Sequence, residues 1–367
     1  MNTNLSIIEI ILFVGAFQGI ILSVALYLIK RENRLSNRLL SLIILLSSLN
    51  IILHTISEYE NKLLLPHHEE IISVLLFLFG PLYFFYVNAL TTNSVKLINN
   101  WQYHLIPFIV CFTAAVPLYI YSYNFAEPYL ALEIIGDSVI LHAIFYLILS
   151  TKELKSHSIR IKESFSSIDK INFGWLKIFT IGFTIIWFVA LVAEYIPNHF
   201  FESDFQWIAV SVFIYIIGYA GITKPAVFTD PVFIENITSN KQKKKYHKSS
   251  LTEEAGIKYF DKLKKYMEKE KPYLNSNITL PELAGHLSIS VHHLSRVINE
   301  KFNQNFFEFI NSYRIDEAKS LLSNPDYNNQ NIITIGYESG FNSVSAFNAA
   351  FKKKVGMNPS QFRKSSQ

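Results

Sequence analysis

The chain has 367 residues, half of them hydrophobic and 15% aromatic, and only 17% are charged, against about 25% in soluble domains. That balance excludes an ordinary soluble protein. Charge is divided along the chain: residues 241–367 hold 20 Lys+Arg against 12 Asp+Glu, and residues 1–240 hold 13 against 17. A basic end attached to a lipophilic body calls for a polyanionic partner. The single cysteine, Cys111, excludes a disulfide framework and a metal centre built on thiolates.

About twenty apolar residues carry a helix across a bilayer core. Seven stretches meet that length, near 5–29, 39–57, 71–90, 103–121, 131–150, 174–195 and 206–223. Several are apolar on every face, as a surface helix is not. The first lacks a basic leading segment and a small-residue cleavage site, so it reads as a retained span. Within it Gly15 and Gly19 form a G-x-x-x-G, which permits close helix approach and favours packing inside the chain over dimerisation.

Orientation follows from the connections. The first, third and fifth carry ten basic residues: Lys30, Arg31, Arg34, Arg38, Lys96, Lys152, Lys155, Arg160, Lys162 and Lys170. The second, fourth and sixth carry Lys62 alone, beside Glu58, Glu60, Glu69, Glu70, Glu127, Glu202 and Asp204. The N-terminus is therefore expected outside and the C-terminal half in the cytoplasm, where bacterial DNA lies.

Ionisable residues within spans are costly and count as functional candidates. Glu9, His54, Glu133, Asp137 and Glu194 fall in the outer halves of their spans. Glu133 and Asp137 are four apart and share a helix face. Together these five are the candidate ligand-binding residues of an outward pocket for a small-molecule or membrane signal. The alternative is that they reach the headgroups or satisfy one another. No catalytic motif, cofactor site or metal site is visible, so a membrane enzyme with an appended regulatory domain is the weakest of the alternatives.

Pro225 and Pro231 end the last span, and residues 225–250 read as a basic cytoplasmic linker containing Lys241, Lys243, Lys244 and Lys245. Ser250-Leu-Thr-Glu253 fits a capping box, opening a helix with an apolar stripe at Tyr259, Leu263 and Met267. Thr279 to Leu287 reads as the next helix, with Pro281 in its first turn. Ser288-Ile-Ser290 is a turn, with Ser290 capping a helix whose inner face is Val291, Leu294, Val297 and Ile298. His292, Ser295, Arg296 and Asn299 then project outward together. A second unit follows. Ile332, Ile335 and Tyr337 lead to Gly340, Phe341-Asn-Ser343 turns, and Phe347 and Phe351 anchor a helix with Ser345, Asn348 and Lys352 outside. Phe306 to Leu322 joins the two units as one long helix. Such units offer polar helix faces to a major groove, where Arg and Asn suit guanine and adenine edges.

Residues 255–364 resemble the AraC/XylS family of bacterial transcription regulators. The resemblance rests on Leu283-Ala284, Ser290-Val-His-His-Leu-Ser-Arg296, Tyr313-Arg-Ile-Asp-Glu-Ala318, Leu321-Leu322, Glu338-Ser-Gly-Phe341, Ser345-Ala-Phe347, Phe351-Lys352 and Gly356-Met-Asn-Pro359, in order. It implies DNA contacts at His292, Ser295 and Arg296, and at Val344, Ser345, Asn348 and Ala349. Asn303 stands where members commonly have Gly. Ala349 offers no hydrogen-bonding group where many have a larger polar residue, so the second helix is expected mainly to dock on phosphates. His293, Arg314 and Glu317 are expected to be structural. The whole architecture resembles membrane-bound regulators of the Bacteroidetes kind.

The expected fold is all-α. A seven-helix transmembrane bundle spans 1–224, the linker 225–250, and a helical DNA-binding domain with two helix-turn-helix units 251–367. The expected function is a multi-pass, inner-membrane, sequence-specific transcription factor coupling a signal to a promoter. The alternative is a tethered regulator whose spans only anchor. Double-stranded DNA and the lipid bilayer are the expected partners, with RNA polymerase and a second copy of the chain as further candidates.

Overall fold

The computed structural model describes residues 6–29, 34–59, 74–92, 100–125, 130–169, 174–195, 203–223 and 252–366. Among them the chain forms fourteen α-helices, three short 3₁₀ turns and one isolated bridge, and no strand. Two compact units emerge, Met1–Lys155 with Phe173–Thr238, and Ser156–Asn172 with Ser239–Gln367.

The first unit contains α1 (Ile7–Leu28), α2 (Arg34–Tyr59), α3 (Phe79–Thr92), α4 (Trp101–Phe125), most of α5 (Leu130–Ser164), α6 (Gly174–Tyr195) and α7 (Ser203–Thr223). Its outer surface is apolar, unlike that of a water-soluble bundle, and its largely apolar interior also holds small polar side chains. Ser23, Ser41, Ser47, Ser48, Asn50, Thr55 and Thr180 are buried, while Ile7, Phe17, Leu141, Ile178 and Phe188 are 63% or more exposed. The hydroxyls of Ser23, Ser41, Ser47, Ser48, Thr55 and Thr180 are satisfied. Ser23 Oγ donates to the Ser41 carbonyl at 2.9 Å, and Ser41 Oγ returns the bond to the Ser23 carbonyl at 2.8 Å. These reciprocal bonds join α1 to α2.

Gly19 belongs to the same seam. A methyl group built on it would sit 2.1 Å from Ser48 Oγ and 3.2 Å from Ile214 Cγ2. The G-x-x-x-G face is thus filled from α2 and α7 inside the chain, as expected.

By length and composition, two described helices can cross a bilayer, Ile7–Leu28 and Arg34–Ile56; Leu75–Thr91, Gly174–Val189 and Trp207–Thr223 are shorter apolar helices. The fifth stretch differs from its expected end near residue 150. Its helix runs 35 residues to Ser164, because Lys152, Glu153, Leu154 and Lys155 are good helix formers outside a membrane as well. Hydropathy there marks where the apolar surface stops rather than where the helix does.

The second unit contains α8 (Glu253–Glu270), α9 (Leu280–His286), α10 (Val291–Phe302), α11 (Phe306–Ser323), α12 (Ile332–Glu338), α13 (Val344–Val355) and α14 (Pro359–Ser366). The α8 cap is Thr252, which accepts from the Ala255 N–H, rather than the expected Ser250. Either hydroxyl suits the sequence, and Thr252 places both Glu253 and Glu254 in the first turn, where the helix dipole favours acids. Two cores form. Leu263, Met267, Leu283, Leu294 and Phe309 build the first, and Ile315, Leu322, Ile335, Phe347 and Phe351 the second. Helix α11 supplies both, so it is the shared beam of the unit.

The basic linker 225–250, with Lys241 to Lys245, lies outside the described residues. So do Lys30, Arg31, Lys62, Lys96 and Lys170 and the side chains of the acidic outer connections.

Candidate nucleic-acid interface

The first helix-turn-helix is α9–turn–α10. Thr279 and Glu282 form a reciprocal capping box, and Pro281 sits in the first turn where its missing N–H costs nothing. The turn is carried by Ser288 at φ +51°. Ser290 then caps α10, accepting from the His293 N–H at 3.1 Å. Leu294, Val297 and Ile298 are buried. His292 and Asn299 are exposed, and Ser295 and Arg296 are half-buried beside them. Asn299 donates to Ser295 Oγ at 3.4 Å, and Arg296 Nε pairs with Glu300 at 2.6 Å. This i,i+4 pair is exposed and worth a few tenths of a kcal/mol, about 0.3–0.5, so it yields readily to a better acceptor. Asn303 ends the helix in the left-handed region at φ +53°, as its substitution for glycine implies.

The second helix-turn-helix is α12–turn–α13. Its turn passes through Gly340 at φ +90°, and Ser343 caps α13, accepting from the Ala346 N–H at 3.1 Å. Phe347 and Phe351 are buried. Ser345, Asn348, Ala349 and Lys352 are exposed and Val344 is half-buried. Of three successive lysines, Lys353 reaches Glu308 at 3.2 Å and Lys354 reaches Asp316 at 2.8 Å. Lys352 makes no such pair among the described residues. All nine sequence-predicted contact residues thus lie on the outward sides of two equivalent helices, held by the 18-residue α11, about 27 Å long at 1.5 Å per residue.

Residues 283–365 match a protein family described as a helix-turn-helix domain. The melibiose operon regulatory protein of Escherichia coli (strain K12) is 31% identical over 90 residues, covering 24% of this chain and 29% of that protein. An uncharacterized HTH-type transcriptional regulator of Staphylococcus aureus (strain COL) is 29% identical over 103 residues, covering 28% of this chain and 13% of that protein. The chain therefore spans less than a third of the length of these curated relatives. A solved structure of a protein of unknown function from Listeria innocua covers 29% of this chain and 96% of that one at 23% identity, with a TM-score of 0.26, too low to support an argument about fold.

His293 stacks on Tyr259, with ring centroids 5.9 Å apart. Glu317 accepts from Lys271 Nζ at 2.9 Å and from Tyr273 Oη at 3.0 Å. Both are bracing residues. Burial, followed by the Glu317 hydrogen bond, pushes the Tyr273 hydroxyl above its usual range.

Arg314 is 1% exposed. Its Nε donates to the Tyr273 carbonyl at 2.8 Å, Nη1 to Asn311 Oδ1 at 3.3 Å and Nη2 to the Asn275 carbonyl at 2.9 Å. The remaining donors reach Ser166, at its carbonyl and its Oγ, both at 3.1 Å. Burial pushes the guanidinium down to about 10, so it stays cationic at neutral pH.

Ser166 belongs to a segment that nothing in the sequence marks, Phe165 to Asp169, just beyond α5. Phe165 forms an antiparallel bridge with Thr279, and Ser166 Oγ donates to the Ile278 carbonyl at 2.6 Å. Ile168 is buried. Asn342 donates to Ser167 Oγ, and Ser343 Oγ donates to the Asp169 carboxylate. The segment is a strap laid across both helix-turn-helix units.

The candidate ligand residues do not assemble into one pocket among the described residues. Glu9 completes the capping box of α1 with Ser6, His54 stacks on Trp207 at 4.6 Å, and Asp137 is exposed. The side chains of Glu133 and Glu194 lie outside the described residues. The first unit does hold an apolar cavity of about 140 Å³, lined by Asn50, Tyr83, Phe179, Trp187, Trp207 and others. Buried aromatic clusters leave no periodic sign distinct from ordinary packing, so the sequence alone does not reveal it.

Proposed function

We propose that the chain is a membrane-integral, sequence-specific DNA-binding transcription regulator of the AraC type. The observation that carries this reading is the pair of helix-turn-helix units, each presenting polar, donor-bearing side chains outward from a helix packed on its own apolar core. The likeness of residues 283–365 to a helix-turn-helix family supports it. A regulator with two reading helices joined by a fixed helix contacts successive major grooves.

Seven crossings with the DNA-binding half in the cytoplasm complete the proposal. Its support is the apolar outer surface of the first unit, the basic bias of the odd-numbered connections, and two helices of spanning length. An apolar outer surface of this extent is a liability in water and the expected state in lipid. Reporter fusions after Lys162 and after Lys245 should report a cytoplasmic position, and one within residues 67–70 an external one. A cytoplasmic signal from the last would reverse the orientation and put the DNA-binding half on the wrong side.

For DNA contact, Arg296→Ala in the full chain in lipid nanodiscs should weaken binding to a selected duplex by about 1–3 kcal/mol, as loss of a bidentate guanine contact does, and barely change binding to random duplex. Lys352→Ala should weaken both alike and lower the salt slope by about one. Equal losses on both duplexes for Arg296→Ala would remove it from the reading set.

Sensing is part of the proposal, with the cavity in the first unit as one place for an apolar ligand and the acidic residues Glu133 and Asp137 as another. The second reading, that the spans only anchor, is separated by exchanging them for an unrelated anchor. A retained transcriptional response would leave sensing without support.

A further inference from the structure

We infer that the 165–169 strap is a self-carried competitor for DNA, docked in the groove across the two helix-turn-helix units so that Asp169 occupies the place of a duplex phosphate at the head of α13. The inference rests on the DNA-binding reading above and adds a regulatory occupant to it.

The head of a helix concentrates unpaired backbone N–H groups and the positive end of the dipole, and it is a common seat for phosphate. In helix-turn-helix readers that end approaches the duplex. In α13 the seat is taken. The cap residue Ser343 gives its hydroxyl proton to the Asp169 carboxylate while accepting from the Ala346 N–H. A carboxylate held there satisfies the same electrostatic demand as a phosphate and repels one that approaches.

The strap is not a surface loop resting by chance. It is fixed at Thr279 and Ile278 on the first helix-turn-helix, at Arg314 on the beam, and at Asn342 and Ser343 on the second helix-turn-helix. Its release is nonetheless tolerable. Arg314 would keep Tyr273, Asn275 and Asn311 as acceptors, and water can replace Ser166 once the strap has left.

With the strap docked, α10 is free and the head of α13 is blocked. Undocking frees both reading helices. The strap is also part of the covalent connection between α5 and α6, so any signal that favours the undocked state raises the competent fraction and the apparent affinity together. Information can thus pass from the membrane half through 165–169, without using the basic linker.

The test uses the full chain in nanodiscs with Cys111→Ser as background, and fluorescent duplexes of about 40 bp, long enough for two half-sites, selected from a random pool by wild type and by Asp169→Ala. Asp169→Ala should bind about three- to tenfold tighter than wild type, in proportion to the docked fraction removed. Ser167→Cys with Asn342→Cys should form an intramolecular disulfide on oxidation. The oxidised form should bind about tenfold or more weakly, with recovery on reduction. Failure of the disulfide to form would place the strap elsewhere and overturn the inference. Equal affinities for oxidised and reduced protein, and for Asp169→Ala and wild type, would make the strap a brace only and overturn it while leaving DNA binding intact. No retained duplex with any protein would overturn the DNA-binding reading itself.

Discussion

Arg314→Ala is expected to loosen the whole second unit, not merely its centre. The side chain is buried, and it donates to the carbonyls of Tyr273 and Ser166 while sharing that of Asn275 with the Ile278 N–H. A buried acceptor left unpaired costs about 1–3 kcal/mol, and the vacated volume adds a cavity cost. The guanidinium also sits 5.7 Å from the Phe341 ring centroid, and the variant forgoes that cation–π attraction as well. Against these stands the relief of no longer burying a cation. The net expectation is about 3 kcal/mol of local destabilisation. Lysine should rescue little, because one ammonium cannot serve acceptors spread around a planar fork. Amide hydrogen exchange on the full chain would read this as faster exchange throughout α11 and α12 with the first unit unchanged. Protection within α11 close to wild type would show that water replaces the guanidinium without cost.

Gly340→Ala should be comparably severe for a different reason. Its φ of +90° lies where a side chain is strained, and a methyl group would stand 2.3 Å from the Tyr273 carbonyl oxygen and 2.9 Å from Leu274 Cα. Both are backbone atoms and cannot turn aside as a flexible side chain would. Strain of about 1–3 kcal/mol therefore comes with a displacement of residues 272–274, which also hold Arg314. The double variant Arg314→Ala, Gly340→Ala should lose less than the sum of the two, because both act on the Tyr273 carbonyl. Additive losses would show that the two sites are independent.

The helix-turn-helix units are legible in the sequence because everything that defines them is local. The capping box Thr279/Glu282, the caps Ser290 and Ser343, the glycine at 340 and the apolar spacing of Leu294, Val297 and Ile298 all fall within a dozen residues of the helices they organise. The all-helical class is legible for the same reason. The end of α5 is not, since Lys152 to Ser164 changes in polarity without changing in helix propensity. The start of α8 is ambiguous between two hydroxyls two residues apart. The strap leaves no sequence signal at all. Ser166, Ser167 and Asp169 are ordinary polar residues after a helix, and their partners lie 112 to 175 positions away. Arg314 reads as structural from its family position, but its bond to Ser166 depends on a segment that the sequence assigns to the other half.

That long-distance bond also sets an order of assembly. Ser166 precedes Arg314 by 148 positions, so at about 5–20 residues per second of synthesis the strap leaves the ribosome roughly 7–30 s before its receptor exists. The first core, around Leu263 and Leu294, can close on its own residues once Phe309 has emerged. The complete groove waits for Ser343, and only then can a connection made much earlier gain its last two anchors, at Asn342 and Ser343. A nascent chain stalled before Gly340 would therefore carry one finished helix-turn-helix and a strap held at Ile278, Thr279 and Arg314 but not at Asn342 and Ser343.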